Sequence, residues 1–280
     1  MDLLIEPVVR AALAEDLGRA GDLTGQACIP ADARMSGVFA AREAGVAAGV
    51  DAVRIAVRML DADARIEILV ADGQAFDAGA ALVRVQAQAR ALLAAERTAL
   101  NILGRMCGIA TLTRTYVEAV KGTRVRIADT RKTTPGLRAL EKHAVACGGG
   151  MNHRFGLDDA VLIKDNHVAV CGGVGAAVRR ARAHVGHLVK IEVEVDTLDQ
   201  LDEALAERPD VIMLDNFSLQ ALREAVERAK ASPFGRPVLE ASGGVTPATV
   251  GDIARTGVDV ISVGALTHSA RASDIGLDVA

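Results

Sequence analysis

The fold is decided by a forty-residue stretch rich in cations and turns, residues 128–167, which reads ADTRKTTPGLRALEKHAVACGGGMNHRFGLDDAVLIKDNH. Short aliphatic runs at residues 125–128 and 160–163 are typical of buried parallel strands. Between them, Pro135-Gly136 opens a helical run, and the three glycines at 148–150 end it. A helix that returns the chain between two strands predicts a parallel pair, with both polar strand ends at one edge of a sheet.

Cations cluster at that edge. Arg131 and Lys132 follow the first strand and Lys164 follows the second, while His153 and Arg154 lie on the loop that enters the second strand. A basic pair beside a flexible glycine run can close on a ligand. Several cations at one pocket predict a ligand with more than one negative charge.

Composition limits the class of protein. The chain has 280 residues, of which 50% are hydrophobic, with five Phe, one Tyr and no Trp, and its net charge is −4. An aliphatic core of this size suits parallel α/β packing, in one barrel or a barrel with a smaller partner domain. The acidic balance argues against general nucleic-acid binding. With no apolar run of membrane-spanning length and no leader, we expect a soluble, cytoplasmic protein that binds no membrane.

The four cysteines, Cys28, Cys107, Cys147 and Cys171, form no CxxC pair and show no paired spacing with histidines. We expect reduced thiols rather than disulfides or a zinc site.

The second part of the chain alternates strand, polar tip and helix. After the first two strands, four more are predicted at residues 190–195, 211–214, 238–241 and 258–263, with helices at 174–184, 198–206, 219–231 and 246–256. Six good strands predict an α/β fold with a truncated (β/α) barrel of six or seven strands. Residues 1–106 lack this alternation and indicate an α+β unit, in which Asp51 is expected to cap a helix.

Chemistry in such barrels gathers at the carboxyl ends of the strands. Those positions here hold Glu194, Asp215, Ser242-Gly243-Gly244 and Gly264. The glycines form either a tight turn or a phosphate cradle, and the late position in the barrel favours a cradle. Glu194 and Asp215 either pair with the local cations or hold a hydrated Mg²⁺ or sugar hydroxyls. On the third strand, Glu192 is the structural acid and Glu194 the functional one.

A helix predicted at residues 90–105 places Glu96 in its apolar stripe and Arg97 at the border. Arg97 is either an ion-paired or snorkelling residue at a domain seam, or an arginine delivered into the pocket of a neighbouring subunit.

These motifs closely resemble the quinolinate phosphoribosyltransferase family over nearly the whole chain. The resemblance is carried by Glu96-Arg97-Thr98, residues 128–167, Ile191-Glu192-Val193-Glu194-Val195, Leu214-Asp215-Asn216-Phe217, Glu240-Ala241-Ser242-Gly243-Gly244 and residues 262–268, which read SVGALTH. It implies phosphoribosyl transfer from phosphoribosyl pyrophosphate to quinolinate with decarboxylation. The products would be nicotinate mononucleotide, pyrophosphate and CO₂, in NAD biosynthesis.

The resemblance also implies an architecture. It consists of an N-terminal α/β sandwich, residues 1–106, to which residues 267–280 return, and a barrel domain, residues 107–266. A homodimer would place each sandwich over the neighbouring subunit's barrel, so that Arg97 crosses the interface.

The roles that the resemblance implies divide by substrate. Quinolinate carboxylates would be held by Arg131, His153, Arg154 and Lys164, with Arg97 from the partner subunit. Lys132 would lie between quinolinate and the pyrophosphate, and Lys132, Lys164, Glu194 and Asp215 would form the catalytic set. Glu194 and Asp215 would serve the ribose hydroxyls and the shell of a Mg²⁺ held through substrate and water. The 5′-phosphate would lie on Ser242, Gly243, Gly244, Val263, Gly264 and Ala265, and Thr130 and His268 complete the binding set.

Three alternatives stay open. A related pyrophosphorylase-like protein of molybdate transport systems shares much of the signature, although the run around Lys164 favours the quinolinate enzyme. A class I aldolase would use Lys164 as a Schiff-base lysine. A non-catalytic phosphosugar-binding barrel would bind ligand without releasing pyrophosphate.

Overall fold

The computed structural model describes residues 2–279, which form two compact units. Within that range, the first unit comprises residues 2–114, 132–149 and 265–279, and the second comprises 115–131 and 150–264. The domain boundaries expected near residues 106 and 266 stay a prediction. By contacts alone, residues 132–149 group with the first unit.

Helices and strands follow one another irregularly up to residue 119 and alternate more regularly from residue 126 onward. In chain order they are α1 (Asp2–Leu17), α2 (Leu23–Cys28), β1 (Arg34–Ala41), β2 (Gly45–Val46), α3 (Val50–Leu60), β3 (Arg65–Ile68), β4 (Ala75–Phe76), β5 (Ala81–Gln88), α4 (Ala89–Ala119), β6 (Arg126–Ala128), α5 (Arg138–Cys147), β7 (Val161–Ile163), α6 (Asp165–Cys171), α7 (Val174–His184), β8 (Ile191–Val195), α8 (Leu198–Glu207), β9 (Val211–Asp215), α9 (Leu219–Ala231), β10 (Val238–Ser242), α10 (Val250–Ala254), β11 (Val260–Ser262), α11 (Ala265–His268) and β12 (Ile275–Val279).

The first unit is built on an antiparallel sheet with the strand order β12-β1-β5-β3. Strand β5 buries alternate residues, including Val83 and Val85, because successive side chains of a strand point to opposite faces. The end of the chain returns to this sheet, since Leu277 of β12 pairs with Phe39 of β1.

Helix α4 runs to Ala119, well beyond the expected end near residue 105. Two glycines inside the helix allow a close approach rather than ending it. A Cβ on Gly108 would lie 1.9 Å from the carbonyl oxygen of Arg271, and one on Gly104 would lie 2.9 Å from that of Ser273. The first unit therefore packs the segment after α11 against the backbone of α4. Among residues 2–279, no helix combines the length and apolar character needed to cross a bilayer.

The second unit contains a parallel sheet in which the described residues form six strands, ordered β6-β11-β10-β9-β8-β7. All six predicted strands are confirmed, and helices α7, α8 and α9 lie where the apolar periodicity placed them. The last strand of this sheet in chain order, β11, pairs with the first, β6, with Ile261 beside Ile127, as in a barrel. All carboxyl strand ends therefore share one edge, and the truncated barrel is confirmed.

The expected pairing of β6 with β7 is wrong, because these strands lie at opposite ends of the strand order. A single residue, Met151, forms a bridge beside Ala128 instead. Met151 N–H donates to Ile127 O at 2.8 Å, and Asp129 N–H donates to Met151 O at 3.1 Å. These bonds satisfy the open side of β6, so the barrel stays incomplete between β6 and β7.

Three local expectations also need correction. Asp51 lies in the first turn of α3, and Gly49, with φ +81°, is the N-cap. The polar, glycine-punctuated run at residues 16–25 is typical of a loop, but residues 23–25 already belong to α2. The helix expected at 246–256 is limited to α10, after a turn at residues 247–249.

Candidate active site at the carboxyl ends of the barrel strands

Two arginines of the second unit, Arg131 and Arg154, place half-buried guanidinium groups close together. Arg154 Nη1 donates to Ala160 O at 2.9 Å. The Nε atoms of both arginines are buried without a hydrogen-bond partner. Burial, followed by repulsion from Arg131, lowers the pKa of Arg154. A pair of repelling cations with free donors is a site that an anion would complete.

His153 is held by the protein on both ring nitrogens. Its Nδ1 accepts from Arg154 N–H at 2.8 Å, and Nε2 lies 2.9 Å from Glu192 Oε2. The backbone N–H of His153 donates to the buried Asp129 at 2.8 Å. Because Nδ1 is an acceptor, Nε2 carries the proton and donates it to Glu192. His153 therefore ties the backbone of Arg154 to the barrel interior.

Two buried glutamates, Glu192 of β8 and Glu240 of β10, lie beneath His153. Glu240 Oε1 is 3.8 Å from His153 Nε2. The pKa of Glu240 is raised well above its ordinary value, first by burial and then by the charge of Glu192. Glu192 Oε1, Glu240 Oε1 and Ser262 Oγ are buried without hydrogen-bond partners. The structural role expected for Glu192 is supported by its burial and its contact with His153. Glu240 was not predicted, although a carboxylate within the aliphatic strand β10 was a signal that could have identified it.

Lys164, Glu194 and Asp215 form a second group at the same edge. Lys164 Nζ lies 3.3 Å from Glu194 Oε2, and the lysine side chain is half exposed. Burial raises the pKa of Glu194, with Asp215 adding to the effect and Lys164 opposing it. One carboxylate oxygen each from Glu194, Asp196 and Asp215 lies within 4.8 Å of the others. Asp196 was not predicted as a site residue, because it lies just beyond the last residue of β8, Val195.

The turn after β10 is held against the tip of β9. Asn216 N–H donates to Ser242 O at 2.9 Å, and Asn216 Nδ2 donates to Asp215 Oδ2 at 2.6 Å. Gly243 has φ +93°, and a Cβ there would lie 2.1 Å from Asn216 Oδ1. Gly244 has φ +59° and open space where a Cβ would point. The turn thus exposes its backbone beside the carboxylate group.

The remaining predicted residues divide between the two units. In the second unit, Val263 is buried and its N–H donates to Ala128 O at 2.9 Å. Thr130 and Gly264 are half-buried there. The first unit holds Arg97, Lys132, Ala265 and His268.

Within the first unit, Arg97 is exposed and lines an open pocket of about 340 Å³ with Asp16 and Asp22. Lys132 is exposed, and its carbonyl oxygen accepts from Thr267 Oγ1 at 2.8 Å. His268 is exposed and pairs through Nδ1 with Ser269 Oγ at 2.7 Å.

Family models match both parts of the chain. Residues 22–107 match the quinolinate phosphoribosyl transferase N-terminal domain, and residues 109–278 match the C-terminal domain of the same family. The chain belongs to the quinolinate phosphoribosyl transferase family.

Named relatives of the family agree. Nicotinate-nucleotide pyrophosphorylase (carboxylating) of Mycobacterium leprae is 50% identical, over 97% of this chain and 95% of the relative. Quinolinate phosphoribosyltransferase (decarboxylating) 2, mitochondrial, of Nicotiana glauca is 40% identical, over 98% of this chain and 82% of the relative. The solved structure of the nicotinate-nucleotide pyrophosphorylase from Francisella tularensis is similar with a TM-score of 0.94 and 38% identity, covering 100% of this chain and 97% of that one.

Family membership confirms the resemblance carried by the sequence motifs, and the second unit brings twelve of the predicted site residues into one barrel. They are Thr130, Arg131, His153, Arg154, Lys164, Glu194, Asp215, Ser242, Gly243, Gly244, Val263 and Gly264. In this member of the quinolinate phosphoribosyl transferase family, Arg131 and Arg154 form one group, and Lys164 lies with the carboxylates of Glu194 and Asp215 in a second.

Proposed function

We propose that this protein transfers the phosphoribosyl group of phosphoribosyl pyrophosphate to the ring nitrogen of quinolinate and releases CO₂. The products are nicotinate mononucleotide, pyrophosphate and CO₂, as a step of NAD biosynthesis. The observation that carries the proposal is the juxtaposition of free guanidinium donors and a carboxylate group at one barrel edge, in a chain of this family.

The quinolinate end of the site is cationic. Arg131 and Arg154 offer unpartnered Nε–H donors, and bidentate contact with carboxylates is the geometry that guanidinium groups favour. Lys164 would hold the second carboxylate in exchange for part of its contact with Glu194. Since both nitrogens of His153 have protein partners, we assign His153 to positioning Arg154, whose guanidinium group would contact the carboxylate.

The phosphoribosyl end of the site is acidic and backbone-lined. Glu194 and Asp215 would accept hydrogen bonds from the ribose hydroxyls. The turn at Gly243 and Gly244 would receive the 5′-phosphate on its N–H groups, where a side chain at Gly243 would collide with Asn216. The family resemblance would add Ser242, Val263, Gly264 and Ala265 to the residues that bind the phosphate, and Thr130, Lys132 and His268 to those that bind substrate.

A divalent cation fits the acidic group. Mg²⁺ takes oxygen ligands, keeps several waters and commonly binds through one or two carboxylates plus substrate phosphates. Glu194, Asp196 and Asp215 converge closely enough to hold such a hydrated ion. When bound, Mg²⁺ would offset the charge that develops on the departing pyrophosphate.

The chemistry requires no side-chain nucleophile. As the bond from C1 of the sugar to pyrophosphate breaks, positive charge develops on C1, and Glu194 and Asp215 supply negative charge on their side of the site. The ring nitrogen of quinolinate then forms the new bond to C1. The positive charge on the ring nitrogen then stabilises the electron pair left on C2 as the bond to the 2-carboxylate breaks and CO₂ departs, and a proton from water forms the new C2–H bond. The protein contributes orientation and electrostatic field.

We further propose that the active enzyme is a homodimer in which Arg97 serves the neighbouring subunit's site. Arg97 is exposed on α4. The family resemblance supplies the arrangement across the interface.

The direct test is an assay of CO₂ and pyrophosphate release with quinolinate, nicotinate and nicotinamide, each with phosphoribosyl pyrophosphate and Mg²⁺. We expect both products from quinolinate alone, because only quinolinate has a 2-carboxylate to lose. Turnover of nicotinate equal to that of quinolinate would contradict the assignment.

The aldolase alternative is weakened by the surroundings of Lys164. A Schiff-base lysine is activated in a desolvated pocket or beside another cation, whereas Lys164 is half exposed and contacts Glu194. Borohydride with carbonyl substrates should leave Lys164 unmodified. A phosphosugar-binding protein without catalysis would bind phosphoribosyl pyrophosphate in the same assay and release no pyrophosphate.

A further inference from the structure

A group of potential metal ligands lies in the first unit, among residues without a place in the proposed reaction. His143 and Cys147 are four residues apart on α5, so their side chains share one face of the helix. Asp72 approaches them from the segment between β3 and β4. His143 Nε2 lies 2.7 Å from Asp72 Oδ2 and 3.4 Å from Cys147 Sγ.

We propose that Asp72, His143 and Cys147 form a binding site for a tetrahedral transition-metal ion, with Zn²⁺ the best fit. One carboxylate oxygen, one imidazole nitrogen and one sulfur lie within 4.8 Å of one another. The imidazole nitrogen and the thiolate sulfur of this set favour zinc-like ions over Mg²⁺ or Ca²⁺, which prefer oxygen ligands alone.

The distances suit such an ion after a small adjustment. Zinc lies about 2.0 to 2.3 Å from nitrogen, oxygen and sulfur ligands, so tetrahedral ligands are about 3.3 to 3.6 Å apart. The observed 3.4 Å between Nε2 and Sγ already matches that spacing. The 2.7 Å between Nε2 and Oδ2 must lengthen by roughly half an ångström, as the metal replaces the bridging proton.

The surroundings hold the ligands in place. Asp72 Oδ1 accepts from Val50 N–H at 3.1 Å, which leaves Oδ2 to face His143. Arg114 Nε donates to Gly148 O at 2.9 Å, and its Nη2 lies 3.4 Å from both Gly73 O and Cys147 O. These contacts fix the backbone beside two of the ligands.

Solvent reaches the group, because the side chains of His143 and Asp72 are 22% and 24% exposed. Three protein ligands leave a fourth position for water. The ion would join α5 to the segment before β4 within the first unit.

An ordinary ion pair is the competing explanation. The Asp72 contact raises the pKa of His143 to about 10, so a proton competes with the metal for Nε2. An ion pair alone, however, gives Cys147 no function and predicts no thiolate–metal bond. No zinc site was expected, because the cysteines form no CxxC pair; the spacing of four residues between His143 and Cys147 is the signal that was overlooked.

The test is cobalt binding to the EDTA-treated full chain with Mg²⁺ in excess, so that oxygen-only sites are occupied. We expect one Co²⁺ per chain with an intense thiolate-to-cobalt absorption band, which Zn²⁺ then abolishes. Cys147→Ser should lose the band and bind Zn²⁺ at least tenfold more weakly. Cys171→Ser is the matched control and should keep both properties, since Cys171 belongs to no such group among the described residues.

A second variant separates loss of ligand from loss of folding. Asp72→Asn keeps an oxygen for Val50 N–H, so it should fold, keep the thiolate band and bind Zn²⁺ more weakly. Zn²⁺ should raise the thermal midpoint of the wild type but not that of Cys147→Ser. Absence of the band in the wild type, or its survival in Cys147→Ser, would overturn the proposal.

Discussion

Arg131 and Arg154 bury guanidinium nitrogens for which the protein itself supplies no acceptor. A charge-assisted hydrogen bond is worth about 1.5 to 3 kcal/mol, so Arg131→Ala should raise the KM for quinolinate roughly ten- to a hundredfold. The KM for phosphoribosyl pyrophosphate should change much less. Steady-state kinetics with each substrate varied in turn provide the measurement.

Arg126→Ala is the matched control, because Arg126 is exposed at the amino end of the same strand, β6. We expect this variant to bind both substrates as the wild type does. Equal losses for quinolinate and phosphoribosyl pyrophosphate in Arg131→Ala would refute the assignment of Arg131.

Glu240 makes stability depend on pH. Burial and the charge of Glu192 raise its pKa in the folded protein, while His153 lowers it, so the folded state holds a proton that the unfolded state has released. The contribution of protonated Glu240 to the free energy of unfolding is full below the pKa of Glu240 in the unfolded state. It is lost as pH rises through the higher pKa of the folded state. Glu240→Gln should therefore gain stability relative to the wild type between about pH 5 and about pH 8.

Denaturant unfolding at both pH values measures this difference, with the exposed Glu15→Gln as control. The control should follow the wild type at each pH. Parallel pH profiles for Glu240→Gln and the wild type would show that Glu240 is ionised in the folded state at both.

Two adjacent glycines in the turn after β10 look equivalent in the sequence but have different surroundings. Gly243→Ala places a Cβ against Asn216 at φ +93°, whereas Gly244→Ala meets open space at φ +59°. Positive φ alone costs about 1 to 2 kcal/mol, so Gly244→Ala should lose roughly that much stability and Gly243→Ala more. Gly243→Ala should also raise the KM for phosphoribosyl pyrophosphate, because Asn216 contacts Asp215.

Chemical denaturation and substrate kinetics on the two variants test this order. A larger stability loss in Gly244→Ala than in Gly243→Ala would contradict the steric account of the turn.

Elements were predictable where a local pattern determines them. The six barrel strands are aliphatic runs bounded by polar residues, and α7 and α9 begin and end where their apolar periodicity does. The separation of β6 from β7 was not predictable, because the backbone bridge at Met151 depends on tertiary hydrogen bonds rather than on side-chain type. The length of α4 was missed for a similar reason, since its glycines serve a close backbone contact.

Site residues at strand ends were predictable because parallel strands bring those ends together, as with Lys164 and Glu194. Asp129 and Glu240 were not assigned roles, since their function is to hold His153 and its surroundings from within the barrel. An orienting partner of this kind becomes visible only when distances are known.

At the scale of the whole molecule, the proposed dimer makes each active site depend on two chains. By two-fold symmetry, a heterodimer of Arg97→Ala and Lys164→Ala subunits would contain one site with both residues intact and one site lacking both. We expect each homodimeric variant to be nearly inactive, and the purified heterodimer to recover about half of the wild-type activity per dimer. Differently tagged subunits, refolded together and separated on both tags, allow that measurement.

The decisive control pairs Lys164→Ala with Arg131→Ala, two residues that the second unit places in the same barrel. Each subunit's barrel would then lack one essential cation, so this heterodimer should remain inactive, whereas Arg97→Ala with Arg131→Ala should recover activity like the first pair. If Arg97 served its own subunit, both sites of the first heterodimer would be defective. An inactive Arg97→Ala and Lys164→Ala heterodimer would therefore place Arg97 within its own chain's site, and the shared site would have to be abandoned.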